Sequence, residues 1–421
     1  MLKGLPLNFY KSKSIETLIL NGCLRFEDLA DGLGDMVSLT ILEADYTAIR
    51  RIPSLADNTA IRGIPSSIVK LKKLRILSLS GCSLSVDAIP KDLGSLISLE
   101  DLLLEDNDFC SLPSLAGLSN LKVLCVNACK NLRAIPDLPT NLYVLKANVC
   151  PKLETIPEFS KMLNMRELYL NDSVKLTEVP GLDKSLNSMT RIHMEGCTNL
   201  TADFRNSILQ RWTSCGFGGI YLNGIYDIPE WFKIVNDADN IFFEVPQGIM
   251  GRDLKGLTIC FIYSYFVFGP KLEDSEGPIG IIVGNLTKQT TLHAKIMFAR
   301  YGRPAPHSFL SNEPEDLWQG QLSNDVLRLQ GGDQVSILVR PLVDFVRVKK
   351  TGVHLEWDIV MKENMDNPDP HLYDLETNRD FSGGVDAGRS HDAFVRTNHS
   401  SAVNEQLAME LMTPFQEIVS Y

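Results

Sequence analysis

The chain has no apolar run long enough to cross a bilayer. Its longest, Ile259 to Phe268, is ten residues and contains Ser264, which suits a buried strand and argues against a membrane partner. Positive charge is also short: 41 Lys and Arg face 52 Asp and Glu, for a net charge of −11 over 421 residues. Nucleic-acid binders concentrate the opposite sign, so no nucleic-acid partner is expected. The seven histidines (His193, His293, His307, His354, His371, His391, His399) are scattered, without a His-Glu-x-x-His pair. Ser390-His391-Asp392 matches a hydrolase triad in composition only, because adjacent residues cannot hold triad geometry. No Gly-x-x-x-x-Gly-Lys-(Ser/Thr) phosphate loop occurs. Gly216-Phe217-Gly218-Gly219 lacks the strand-and-helix setting of a nucleotide loop and reads as a flexible junction. The expectation is a protein that is not an enzyme, with no catalytic residues, no cofactor and no metal. The opening residues MLKGLPLNFYKSKS lack the apolar segment of a secretory signal, so a cytoplasmic or nucleocytoplasmic protein is expected.

What the chain does have is a ladder. Eight stretches repeat apolar-x-x-apolar-x-apolar-x-x-(Cys/Asn/small), starting at Ile15, Leu39, Leu74, Leu99, Leu121, Leu142, Met165 and Met189. The cleanest are LRILSLSGC from Leu74 and LKVLCVNAC from Leu121. Starts lie 21 to 25 residues apart, with one gap of 35. This is leucine-rich-repeat spacing, in which each unit is one short strand plus a returning arm. A single unit cannot bury its own apolar face, so the units stack into a curved α/β solenoid of short parallel strands. In the long gap, Thr47–Pro53 (TAIRRIP) recurs as Thr59–Pro65 (TAIRGIP), so an insertion near 47–65 on a returning arm is expected. Five of the nine cysteines (Cys23, Cys82, Cys129, Cys150, Cys197) hold the last repeat position, where a small polar side chain turns inward onto backbone. That register reads the Cys125-x-x-x-Cys129 pair as structural thiols and not as zinc ligands.

Residues 1–14 read as a frayed first segment, 15–200 as the repeats and 201–220 as a helical cap with the Gly-rich junction. After about Tyr221 leucine spacing stops and short strand-like runs appear: IFFEV from Ile241, the run from Leu257 to Phe268, IGIIV from Ile279, LHAKIMF from Leu292, QVSILVR from Gln334, VDFVRV from Val343 and VHLEWDI from Val353. Seven such runs with turn residues between them read as an all-β sandwich over 221–362. From Glu363 onward eleven acidic residues meet three basic ones, and 363–421 reads as a largely disordered acidic tail.

Side chains alternate across a strand, so the third, fifth and seventh repeat positions face away from the core. The fifth positions (Glu43, Ser78, Leu103, Cys125, Lys146, Tyr169, His193) make one row along the concave face. Asp45, Ser80, Glu105, Asn127, Asn148, Asn171 and Glu195 run beside it. Solenoids bind protein partners on such surfaces. Glu43, Asp45, Leu103, Glu105, Lys146, Tyr169, His193 and Glu195 are therefore candidate partner-binding residues, with Tyr169 and Leu103 as exposed anchors.

The repeats with cysteine last and Ile-Pro arms (Ile64-Pro65, Ile89-Pro90) resemble those of plant intracellular immune receptors of the TIR–nucleotide-binding–leucine-rich-repeat class. Ile228-Pro229-Glu230-Trp231-Phe232, followed by IFFEV and LTICFIY, resembles the entry to the C-terminal jelly-roll/Ig-like domain (C-JID) of those receptors. Trp318-Gln319-Gly320-Gln321-Leu322, Gly331-Gly332-Asp333-Gln334-Val335 and the stretch from Val348 to Leu355 add to the likeness. The resemblance covers about 15–360 and implies a jelly-roll/Ig-like sandwich behind the repeats. It also implies a part in innate immunity, recognising a pathogen effector or a guarded host protein, with loops near Trp231 and Phe232 contributing. Trp231 and Phe232 read otherwise as a packing plug between cap and sandwich. The NAD-hydrolysing TIR domain and the nucleotide switch of that family are not in this stretch. A second reading is a truncated receptor that serves as a regulatory or decoy subunit bound to a full-length receptor.

Overall fold

The structure, a computed structural model, describes residues 2–27, 29–49, 64–85, 88–212, 216, 218–223, 227–247, 252–265, 279–296, 315–344 and 346–358. Most of the 47–65 insertion and the whole 363–421 tail lie outside the described residues.

Each repeat contributes one short strand: β1 Thr17–Ile19, β2 Ile41–Glu43, β3 Ile76–Ser78, β4 Asp101–Leu103, β5 Val123–Cys125, β6 Val144–Lys146, β7 Glu167–Tyr169 and β8 Arg191–Met194. They pair in parallel, with equivalent repeat positions facing each other. The first, fourth and sixth positions point inward; Leu74, Leu77 and Leu79 have no exposed surface. At about 1.5–3 kcal/mol for each buried Leu or Ile, the inner column drives the stacking. Returning arms tighten after proline into 3-10 turns, Ser66–Lys70 and Lys91–Ser95, which bury Ile68, Leu71, Leu93 and Leu96 beneath the column.

The chain turns at the eighth repeat position, which takes positive φ in every coil. Glycine supplies it at Gly22, Gly81 and Gly196, whereas Tyr46, Asp106, Ala128, Val149 and Asp172 adopt it at φ 50–59°. The next residue then points inward. Cys82, Cys129, Cys150 and Cys197 donate through Sγ to the Ala44, Leu104, Val126 and Leu170 carbonyls of the preceding coil, at 3.0–3.3 Å. Asn107 does the same work with its amide, bonding the Leu79 and Leu104 carbonyls. These are the structural thiols expected from the register.

The solenoid ends in a helix, Ala202–Arg211, whose Thr201 side chain accepts from the Phe204 N–H at 3.3 Å. Ile208 and Leu209 close the last coil. The sheet nevertheless runs on. β9 (Gly219–Asn223) pairs in parallel with β8 and antiparallel with β15 (Glu315–Ser323), followed by β12 (Leu254–Tyr265), β17 (Val346–Trp357) and β10 (Ile234–Asn236). Among the described residues, one sheet of thirteen strands thus spans both halves. A second, antiparallel sheet in the order β11 (Asn240–Glu244), β16 (Gln334–Pro341), β13 (Ile279–Asn285), β14 (Thr290–Ile296) packs against its far end. Phe261, Trp318 and Val353 of the first sheet share a core with Phe243, Ile281 and Ile337 of the second.

Three expectations change. The last residue of the Gly-rich stretch belongs to the sheet: Gly219 opens β9 at φ +116°, and a Cβ there would lie 2.6 Å from the Gln319 carbonyl oxygen, while Phe217 lies outside the described residues. Val346–Val348, the end of the run from Val343, and the run from Val353 lie in one strand, β17, because Lys350-Thr351-Gly352 continues the ladder past a bulge at Lys349 instead of turning. Strands β9, β10 and β15 were not among the expected runs.

Candidate functional site

Register places every fifth-position residue opposite the next: Ile19, Glu43, Ser78, Leu103, Cys125, Lys146, Tyr169, His193 and then Tyr221 of β9. The third positions form a parallel row of Thr17, Ile41, Ile76, Asp101, Val123, Val144, Glu167 and Arg191. The candidate residues are thereby brought onto one surface, but they do not play one role.

At the C-terminal end the row is filled in. Tyr169 is 8% exposed and His193 only 1%. The His193 ring is stacked between Tyr169, at 5.0 Å, and Tyr221, at 3.9 Å, and Lys146 Nζ sits 5.6 Å above the Tyr169 ring. The Tyr169 hydroxyl donates to Glu167 at 2.8 Å, and burial followed by the Glu167 charge pushes it up to about 12. Tyr169 is therefore not the exposed anchor expected. It joins the concave row to the sandwich core, because the cross-strand row continues from Tyr221 to Trp318 and Phe261, whose rings stack at 5.0 Å. Arg191, 3.7 Å from Glu167, closes the third row at this end.

The seventh-position residues bind the solenoid together. Asn21, Asp45, Asn127, Asn148 and Asn171 each accept through Oδ1 from the backbone N–H of the following coil, at 2.7–2.9 Å. Asp45 also accepts from Ser78 Oγ at 2.6 Å. Glu105 accepts from Cys125 Sγ and Asn127 Nδ2, and Glu195 lies 3.3 Å from His193 Nδ1. Asp45, Glu105 and Glu195 thus have intramolecular partners already, which the alternation of a strand could not reveal.

Between β2 and β6 the surface stays open. Ile41, Ile76, Val123 and Val144 are half-buried third-position residues, and Leu103 and Glu43 are half-buried in the fifth row. Asp101 interrupts the aliphatic row. No hydrogen bond or ion pair reaches its carboxylate among the described residues, and burial, then the neighbouring Glu100 charge, raises its pKa. On the flank, Glu100 holds Arg75 at 2.6 Å and Lys122 at 2.8 Å, across three coils. Those two donors pull it down to about 2. Sequence reading placed the third positions on the outward face but named candidates only in the fifth and seventh rows. The signal was available, because Ile41, Ile76, Val123 and Val144 recur at one register position.

Phe232 is 4% exposed and packs with Ile228 into the last part of the solenoid core, beside Gly352. Trp231 is half-buried against that core, and its carbonyl lies 3.2 Å from His354 Nδ1. Both occupy the joint between repeats and sandwich.

Among known proteins, TMV resistance protein N of Nicotiana glutinosa is 35% identical over 153 residues, 33% of this chain and 13% of that protein. Disease resistance-like protein DSC1 of Arabidopsis thaliana is 34% identical over 154 residues, again 33% and 13%. The chain's relatives are plant disease-resistance proteins. A longer match, to disease resistance-like protein CSA1 of Arabidopsis thaliana, is 25% identical over 300 residues, 60% of this chain and 23% of the relative. The chain thus spans less than a quarter of the length of these plant disease-resistance relatives. No family model matches it. Among solved structures, a TDR receptor overlaps 45% of the chain and 36% of its own length at 20% identity, with a TM-score of 0.31.

Proposed function

We propose that this chain is the protein-recognition part of a plant intracellular immune receptor and is not an enzyme. It would bind a pathogen effector, or a host protein that effectors modify, in the cytoplasm or nucleocytoplasm. The observation that carries the reading is the open concave surface from β2 to β6, set in a chain whose relatives are disease-resistance proteins. Its aliphatic third row and Leu103 are half-buried and are not covered by another element among the described residues, which suits a binding face. The two-sheet domain behind the repeats is read as the C-JID of such receptors, on the Ile228–Phe232 motif at its entry. Its role here is to fix the last coils through the Tyr169–His193–Tyr221 stack.

The test is pairwise binding between the full chain and a panel of purified secreted proteins from plant pathogens. A binder is expected whose affinity falls at least about 30-fold on Leu103→Glu, the size of a hot-spot loss, with melting unchanged. If every binder tolerates Leu103→Glu and Val123→Glu, the concave assignment is wrong. The reading as a regulatory subunit docked on a full-length receptor has one observation of its own. At the β1 end Leu7, Ile19 and Leu24 are 76%, 59% and 72% exposed, beside a strand edge with no neighbour among the described residues. Leu24→Lys separates the two readings, since it blocks docking at that end and leaves effector binding intact.

A further inference from the structure

We infer that the concave trough over β2 to β5 takes a basic, apolar-flanked segment of its partner, one that places a Lys or Arg side chain against Asp101. The inference rests on the reading of this face as the recognition surface and specifies the chemistry of what it recognises. Three observations converge on it.

The first is shape and polarity. Third-position residues Ile41, Ile76 and Val123, with Val144 beyond, form an aliphatic stripe, and Leu103 stands beside it in the fifth row. Strands in a sheet lie about 4.8 Å apart, so the five strands from β2 to β6 give a stripe roughly 19 Å long, enough for about six extended residues. The second is charge. On the three outward rows of β1 to β5 the charged side chains are Glu43, Asp45, Asp101 and Glu105, and no Lys or Arg is among them. The nearest bases, Arg75 and Lys122, stand on the flank and are held by Glu100. Lys146, at the end of the trough, is turned over the Tyr169 ring.

The third observation separates Asp101 from the other acids. Glu43 accepts from Asn21, Asp45 from Ser78 and Ser80, and Glu105 from Cys125 and Asn127. Asp101 has no such donor among the described residues, and it sits between Ile76 and Val123 in the stripe, where burial and then the Glu100 charge disfavour its charge and the flanking Lys122 and Arg75 offset this only in part. A carboxylate left without a donor in a partly desolvated site is a standing cost to the free protein. A cation entering the trough removes that cost, while its neighbours cover Ile76, Leu103 and Val123. An acidic segment would meet four carboxylates and is repelled.

The test is selection of random twelve-residue peptides, displayed on phage, on the full chain. Enriched peptides carrying Lys or Arg beside apolar residues are expected. Synthetic copies should bind at least about tenfold more weakly to Asp101→Asn with Glu43→Gln, and more weakly as salt rises. Asp101→Asn keeps the volume and relieves a buried charge, so its melting temperature should not fall, and a lost affinity cannot be put down to misfolding. Enriched peptides that are neutral or acidic, but are lost on Leu103→Glu, would overturn this inference and leave the concave reading standing. The same holds for basic peptides that bind the double variant unchanged. Peptides indifferent to Leu103→Glu, or no enrichment at all, would overturn both.

Discussion

Neighbouring residues on one strand show how local setting decides role. Glu100 and Asp101 are adjacent carboxylates with opposite shifts. Glu100 is held down to about 2 by hydrogen bonds from Arg75 and then Lys122, whereas Asp101 is raised by burial and by Glu100. The signs follow from linkage. With a folded pKa below its ordinary 4.5, Glu100 adds stability above that pH and loses it as pH falls toward 2. Asp101, raised above 3.8, does the reverse and weakens the fold as pH rises through its range. Glu100→Gln is therefore expected to flatten the acid side of a stability profile, measured as the urea midpoint between pH 4.5 and 2. Asp101→Leu is expected to raise the melting temperature at pH 7, because it completes the aliphatic row. Tyr169→Ala, which empties a stacked and buried position, is expected to cost about 3 kcal/mol; unchanged melting there would contradict the stack.

At the scale of the element, the backbone is most exacting where the sheet passes from solenoid to sandwich. Gly219→Ala would drive a Cβ to 2.6 Å from the Gln319 carbonyl and 2.7 Å from the Trp318 indole nitrogen, at a φ that L-residues avoid. A loss of about 1–3 kcal/mol, or failure to fold, is expected; melting within a degree of the parent would mean that β9 is not the bridge described. The elements differ in how readable they are, and for physical reasons. The eight repeat strands were legible because an inward Leu at fixed spacing is dictated by stacking. The thiol bonds to backbone were legible from the same register. Strand β15 was not, since Asp316, Gln319 and Gln321 are buried in it beside Leu317 and Trp318, so no polar alternation marks it. Strand β17 was split by Lys349-Lys350-Thr351-Gly352, whose Thr351 is held by the Ala238 carbonyl and whose Gly352 makes room for Ile228. The burial of Tyr169 was hidden as well, because its ring stacks on His193 of the next coil, which Tyr221 covers in turn from 28 residues further along the chain.

For the molecule as a whole, continuity of one sheet makes the concave face uneven. Near the sandwich its rows are sealed by aromatic rings and by Arg191 with Glu167; toward the first coils they are open, aliphatic and acidic. The face that sequence reading gave as two rows of equivalent positions is therefore a closed structural end joined to an open trough. Recognition is expected in the trough, with the sandwich acting as an anchor for the last coils. The most direct measurement is hydroxyl-radical footprinting of the full chain with and without a bound protein partner. Protection of Ile76, Leu103 and Val123, with Tyr169 unreactive in both states, is the expected result. Protection confined to the outer arms or to the sandwich, with these three residues unchanged, would contradict it.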